Sequence, residues 1–227
     1  MYYREMNYYA TIVIPTYNRE QFSKLILHNI KIQTYPLIKE ILIGDDGETP
    51  LDVNEFSMYP IKYFKMPRCS IGEKRNFLVS QVQTKYCVFM DTDDFYNPNY
   101  ISKSIFNMLE HGKLVSGSSD MLIYGKQNLY RQRCLYIHLL NEATLVFDMS
   151  VFHNNKFNDA NSSEGVSFLK NQIENIIETD INDIMICIVH NNNTVNKEAW
   201  LDDKYYTDFK YMNEYREHLK ILSNIKV

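Results

Sequence analysis

The chain has no Cys-x-x-Cys pair among its four cysteines, no apolar run approaching the ~20 residues of a membrane-spanning helix, no block of like charge and no internal repeat. Each absence removes a class of protein. Cys69, Cys87, Cys134 and Cys187 read as reduced core thiols, two of them inside the apolar runs Tyr86-Cys87-Val88-Phe89 and Ile186-Cys187-Ile188. Lys and Arg total 24 against 28 Asp and Glu, a net charge of −4, so no basic surface tracks a phosphate backbone and a dedicated nucleic-acid binder is disfavoured. Met1-Tyr2-Tyr3-Arg4-Glu5 carries no apolar signal segment, which with the unpaired thiols predicts a cytoplasmic setting and no membrane span. Glycine is scarce, at 7 residues, while Ile, Asn, Lys and Tyr are plentiful.

What is present suffices for one core. The 227 residues are 45% hydrophobic, 23% charged and 14% aromatic, and a chain of this size buries roughly 70–75% of its unfolded surface. One domain over 1–227 is expected, with halves at about 9–97 and 98–190 and a C-terminal loop and helix over 191–227. The first half alternates period-2 and period-3.6 patterns, the signature of a mostly parallel sheet with crossover helices. Strands are predicted over 9–15, 38–44, 61–66 and 86–90, and helices over 19–33 and 71–82. Beyond residue 97 the pattern gives helices over 98–110, 151–155 and 163–178, strands over 113–117 and 184–189, short strand-like runs over 122–146, a polar loop over 191–203 and a terminal helix over 205–222.

Three N-terminal strands run out into polar clusters: Pro15-Thr16-Tyr17-Asn18-Arg19, Asp45-Asp46-Gly47 and Asp91-Thr92-Asp93-Asp94. In an open α/β sheet the carboxyl ends of parallel strands line one crevice, so these clusters converge although about 30 and 45 residues separate them. Two unit charges 4 Å apart repel by about 4 kcal/mol at an effective dielectric of 20, so three carboxylates in four residues call for a screening cation. Mg²⁺ and Mn²⁺ bind through one or two carboxylates together with substrate phosphates and water. The structural alternative is that Asp93 or Asp94 caps the helix beginning near Pro98. Ser70-Ile71-Gly72-Glu73-Lys74-Arg75-Asn76 opens a helix whose N-terminal N–H groups and two cations suit a pyrophosphate, or form a solvated basic turn.

Taken in order, Ile12-Val13-Ile14-Pro15-Thr16-Tyr17-Asn18-Arg19, Ile43-Gly44-Asp45-Asp46-Gly47, Gly72-Glu73-Lys74-Arg75-Asn76 and Phe89-Met90-Asp91-Thr92-Asp93-Asp94-Phe95-Tyr96-Asn97-Pro98 closely resemble family 2 glycosyltransferases of the GT-A fold. The resemblance implies an α/β fold with a mixed, mostly parallel central sheet flanked by helices. It implies inverting transfer of a sugar from a nucleotide-diphosphate donor, a UDP-sugar by family habit, to a carbohydrate or other hydroxyl acceptor, with Mn²⁺ or Mg²⁺ as cofactor. By motif position Pro15, Thr16, Tyr17, Arg19, Asp45 and Asp46 belong to the nucleotide end, with Tyr17 and Asp46 on the base. Lys74, Arg75 and Asn76 lie near the sugar phosphate, Asp91 with Thr92 reaches the ribose, and Asp93 holds the metal.

The second half matches less well. Such enzymes carry a Glu-Asp pair before a helix, whose aspartate is the catalytic base; here Ser162-Ser163-Glu164-Gly165 offers Glu164 alone. Either Glu164 takes the base's place or the alignment slips and Gly165 stands there; a first-turn acid favouring the helix dipole is the structural alternative. Val189-His190-Asn191 resembles the late histidine segment of some GT-A enzymes, making His190 a further metal ligand that tilts the site towards manganese, or a structural strand-end histidine. Trp200 in the loop behind it closes over the donor or packs on the terminal helix. Three other readings compete. A sugar-phosphate nucleotidyltransferase needs a glycine-rich loop after the first strand, which Pro15-Thr16-Tyr17-Asn18 lacks. A phosphatase with an Asp-x-Asp nucleophile carries the motif after its first strand rather than about the fourth. A catalytically silent nucleotide-binding module would keep the fold without the base.

Overall fold

The computed structural model describes residues 8–54, 56, 58–133, 139–194 and 197–207. Its strands are β1 (Ala10–Thr16), β2 (Ile38–Asp45), β3 (Ile61–Lys65), β4 (Tyr86–Phe89), β5 (Phe95–Tyr96), β6 (Val115–Gly117), β7 (Met121–Gly125), β8 (Asn128–Gln132), β9 (Val146–Asp148), β10 (Ile176–Glu178) and β11 (Met185–Ile188). The α-helices are α1 (Ser23–Lys31), α2 (Ile71–Ser80), α3 (Tyr100–His111) and α4 (Val166–Lys170). Seven strands form the central sheet in the order β10-β6-β9-β4-β1-β2-β3, all pairings parallel except those of β9, which runs against both β4 and β6. A second, four-stranded sheet has the order β5-β11-β7-β8. It was not foreseen as a separate layer.

Alternation along the buried strands sorts the core into two faces. Ile12 and Ile14 of β1, Ile41 and Ile43 of β2 and Val88 of β4 join Leu25, Ile26 and Ile30 of α1 and Tyr100, Ile101 and Ile105 of α3. Val13, Leu42, Cys87 and Phe89 point the other way, onto Leu78 and Val79 of α2 and the ring cluster Phe147, Phe157 and Phe168. α3 stops at Gly112, whose φ of 61° supplies a left-handed C-terminal cap. Cys87 and Cys187 are buried free thiols as expected, whereas free Cys69 is only half-buried; Cys134 lies outside the described residues. No helix among the described residues is long and apolar enough to cross a membrane.

The helix predicted over 163–178 does not form as one element. α4 keeps Phe168 and Leu169 buried, but the chain then turns through Ile173–Asn175 and emerges as β10, leaving Ile173 46% exposed. The reason is the open edge of β6: the β-branched residues Ile176 and Ile177 satisfy their backbone by pairing in parallel with Val115 and Ser116, which a continuing helix would leave unpaired. Likewise 151–155 is not a helix; a 3₁₀ turn at Met149–Val151, capped by the Asp148 carboxylate, takes its place. In the terminal region Asp203–Tyr205 is a 3₁₀ turn and Tyr206 bridges to Tyr130, while residues 208–222 of the expected helix lie outside the described residues.

Gly72 fixes how α2 meets the second half. A Cβ there would stand 1.7 Å from the Asn158 carbonyl oxygen, so the backbone at 158–164 lies against the helix only because position 72 has no side chain. Gly72→Ala should therefore destabilise the protein by about 1–3 kcal/mol, the usual range for overpacking, measured by urea unfolding; an unchanged midpoint would contradict this packing.

Candidate functional site

The tips of β1 and β2 are in register, Thr16 opposite Asp45. Asn18, at φ 49°, turns its Oδ1 to accept from the backbone N–H of Glu48 at 2.7 Å and Thr49 at 3.3 Å, which ties the first loop to the second. Asp45 builds the turn: Oδ1 accepts from the Gly47 N–H at 2.8 Å and Oδ2 from the Tyr63 hydroxyl. The Asp46 carboxylate accepts from Lys74 Nζ, from Arg68 at 2.6 Å and from the Cys69 N–H at 3.0 Å. Burial raises its pKa, but those three donors prevail and hold it below the ordinary 3.8. Lys74 is itself held down by burial, which outweighs its single carboxylate partner; burial prevails at the lysine, whereas three donors prevail at Asp46. Arg68 lies over the Tyr17 ring, 3.8 Å from its centroid, and Tyr17 is 39% exposed. Pro15 is buried in β1, and the buried Thr16 Oγ1 has no hydrogen-bond partner among the described residues.

The β4 tip distributes its acids among different tasks. Asp94 accepts from the Ile188 N–H at 3.0 Å and lies 3.8 Å from Lys197 Nζ, stitching β4 to β11; burial pushes its carboxyl up to about 6. Asp93 Oδ2 meets His190 Nε2 at 2.9 Å and Arg19 Nε at 3.0 Å. Burial opposes its ionisation, yet the His190 hydrogen bond and the Lys197 and Arg19 charges keep it well below the usual carboxylate range. Asp91 faces Arg75, its N–H donates to the Tyr96 hydroxyl at 2.7 Å, and Thr92 is buried between the two acids. Neither Asp93 nor Asp94 caps α3, whose N-terminal boundary is Asn99.

Arg75 joins these acids to the second half of the chain. Its guanidinium, in a residue 2% exposed, lies 2.9 Å from Glu164 Oε1, 3.3 Å from Asp91 Oδ1 and 4.5 Å over the Phe89 ring. Glu164 is 3% exposed, and burial raises its carboxyl's pKa against the pull of Arg75. Two expectations for this helix need correction. The first-turn donors of α2 are not open to an anion: the N–H groups of Ile71, Gly72 and Glu73 donate to Asn161 Oδ1, the Ala160 carbonyl and Ser70 Oγ. Lys74 and Arg75 are likewise closed on Asp46, Asp91 and Glu164, because a buried cation needs a carboxylate partner. Asn76 is engaged too, its carboxamide making two hydrogen bonds of 2.8 and 2.9 Å with the Phe157 backbone.

A cavity of about 540 Å³ opens where these groups meet, bordered by Arg75, Asp91, Asp93, Glu142, Glu164 and Trp200 among others. Thus the β4 tip and the 161–164 segment share one hollow, while Asp45 and Asp46 do not line it and are held in their own hydrogen-bond network. Trp200 borders the hollow; any packing on the terminal helix lies outside the described residues. Arg68, Lys197 and Glu142 were missed by sequence reasoning. Lys197 carried no local signal, since it is a lone cation in a polar loop, and only the fold brings it to Asp94.

The donor set fits a hard divalent cation in part. A carboxylate oxygen and an imidazole nitrogen 2.9 Å apart can be neighbouring ligands of one ion. Among the described residues no three His, Cys, Asp or Glu side chains gather as a ligand set, so Asp93 and His190 would supply two positions, leaving the rest to phosphate oxygens and water.

A mixed sheet with polar and acidic strand tips around one cavity is the build of the GT-A nucleotide-sugar transferases. The chain belongs to glycosyl transferase family 2, whose family model matches residues 11–163. It is 25% identical over 152 residues to the glycosyltransferase GlyA of Streptococcus pneumoniae, covering 63% of this chain and 21% of that protein. It is 30% identical over 135 residues to the mouse (Mus musculus) beta-1,4 N-acetylgalactosaminyltransferase 2, covering 57% of this chain and 25% of the relative. The chain therefore spans about a fifth to a quarter of these relatives. The Staphylococcus aureus TarS 1–349 structure in complex with UDP-GlcNAc superposes with a TM-score of 0.66 at 15% identity, over 82% of this chain and 60% of that fragment. Glucosyl-3-phosphoglycerate synthase from Mycobacterium tuberculosis, in complex with Mn²⁺, UDP and glucosyl-3-phosphoglycerate, gives 0.55 at 16%, over 75% and 68%.

The lowered Asp46 carboxyl has a pH signature. A carboxylate whose folded pKa lies below its ordinary value of 3.8 contributes stability above that pH and loses it as the pH falls further. The Tm difference between wild type and Asp46→Asn should be constant near neutrality and narrow as pH drops below about 4; a difference independent of pH down to 2.5 would contradict the assignment.

Proposed function

We propose that the protein transfers a sugar from a nucleoside-diphosphate donor, a UDP-sugar in the first instance, to an acceptor hydroxyl, with inversion at the anomeric carbon. The observation that carries the reading is that Asp91, Asp93 and the carboxylates of Glu142 and Glu164 border a single cavity. Tyr17, with Arg68 stacked on it, and Thr16, whose hydroxyl has no partner among the described residues, lie at the nucleoside end. Asp45 and Asp46 shape that end through the turns and cations they hold. Asp91, kept in place by Arg75, is the ribose contact, with Thr92 beneath it. Asp93 and His190 would hold Mn²⁺ or Mg²⁺, whose charge offsets that of the diphosphate when bound.

Arg19 shares the Asp93 oxygen with His190 and so supplies a positive charge near the departing phosphates, a task first expected of Lys74 and Arg75. Cavity walls on both sides hold the donor for in-line attack. The acceptor hydroxyl must lose a proton as it attacks, and Glu142 and Glu164 border the hollow as candidates to take it. These same carboxylates weigh against a silent binding module.

Nucleotide binding tests the reading. In calorimetric titrations UDP should bind more tightly with Mn²⁺ than without. Asp93→Asn should erase that difference while the folded state persists by circular dichroism. An unaltered Mn²⁺ dependence in the variant would refute the role of Asp93.

A further inference from the structure

We propose that Glu142, rather than Glu164, is the general base, its carboxylate occupying the space that a side chain at position 165 would fill. The inference rests on the glycosyltransferase reading above and names the group that takes the acceptor's proton. Glu164 is ill placed for that task. It is buried, with one oxygen 2.9 Å from a guanidinium it must neutralise, so removing its charge or adding a proton disturbs Arg75 and through it Asp91. Its role is that of a positioning residue.

Glu142 has the opposite character. A Cβ built on Gly165 would stand 2.7 Å from Glu142 Cγ and 3.0 Å from Oε1, so the glutamate side chain lies where residue 165 would otherwise project. Its Oε1 accepts the Gly165 N–H at 3.0 Å, which fixes the carboxylate. Oε2 has no hydrogen-bond partner among the described residues, and Glu142 borders the same hollow as Asp91 and Asp93. The backbone that presents it is rigidly held. Asn141 Oδ1 accepts from the Ala143 N–H at 3.1 Å, and Thr144 Oγ1 donates to the Asn141 carbonyl at 2.6 Å while accepting the Ser118 N–H at 2.9 Å. The Ala143 carbonyl accepts from the Tyr96 hydroxyl at 3.0 Å, and that hydroxyl accepts the Asp91 N–H at 2.7 Å. One relay thus ties the Glu142 turn to the acidic tip, setting one carboxylate at a fixed distance from the other.

In the step, the acceptor oxygen forms a bond to the anomeric carbon as its proton passes to Glu142 Oε2. The bond from that carbon to the phosphate oxygen breaks, and its electron pair leaves with the nucleoside diphosphate. The atoms balance without any oxidant or further reactant.

The test uses UDP-GlcNAc with Mn²⁺, water serving as the acceptor, and reads UDP release alongside calorimetric UDP binding. Glu142→Gln should lower turnover by about 10²–10⁴-fold, the usual worth of general-base catalysis, with UDP affinity unchanged and the acid limb of the pH–rate profile lost. Glu142→Ala should be as slow. Adding Gly165→Asp to it, which returns a carboxylate to the vacated space, should recover at least tenfold of the lost rate. Turnover of Glu142→Gln within threefold of wild type, loss of UDP affinity together with turnover, or no recovery in the double variant would overturn the assignment. Wild-type protein that binds UDP yet releases none from UDP-GlcNAc would overturn it as well and leave a binding module. Failure to bind UDP at all would overturn the functional reading itself.

Discussion

The guanidinium of Arg75 is the constraint on which the rest of the site depends. Burying a cation costs several kcal/mol unless charge and hydrogen bonds compensate it, and here the compensation comes from both halves of the chain, Asp91 at the end of β4 and Glu164 ahead of α4. The arginine therefore acts as a cross-link: neither carboxylate can move far without stranding it. Its seat over the Phe89 ring adds a cation–π contact.

The other acidic tips follow the same rule of local compensation. Asp46 is neutralised by Lys74 and Arg68, Asp93 by Arg19 with His190, and Asp94 faces Lys197. Acids that would repel one another are each given a separate cation from a distant part of the sequence, which lets a cluster of carboxylates exist in a folded protein before any ligand arrives. The arrangement also sorts these acids by task. Asp45 is bound into a turn away from the cavity lining and Asp94 into the junction with β11, while Asp91, Asp93 and Asp94 all border the cavity.

Much of the nucleotide half was legible in the sequence because its signals are local: alternating apolar strands, helices with one buried face, and polar residues where each strand ends. The run Ile12-Val13-Ile14 announces a two-faced buried strand, and Asp91-Thr92-Asp93-Asp94 announces a crowded carboxylate tip. What escaped was set by partners remote in sequence. The 163–178 segment has a helical pattern, but β6 offers its C-terminal part a strand to pair with. Lys74 and the first turn of α2 look like an anion site until Asp46 and the 160–161 loop are placed against them. Glu142 sits in an unremarkable polar stretch; only the missing side chain at Gly165, and the fold that brings the two together, give it meaning.

Anomalous scattering from crystals soaked with UDP and Mn²⁺ tests the central claim most directly. The account predicts a manganese peak between the Asp93 carboxylate and the His190 imidazole, with the diphosphate beside it and the uracil towards Tyr17. Manganese bound elsewhere, or a nucleotide lying outside the hollow that Arg75 holds together, would contradict it.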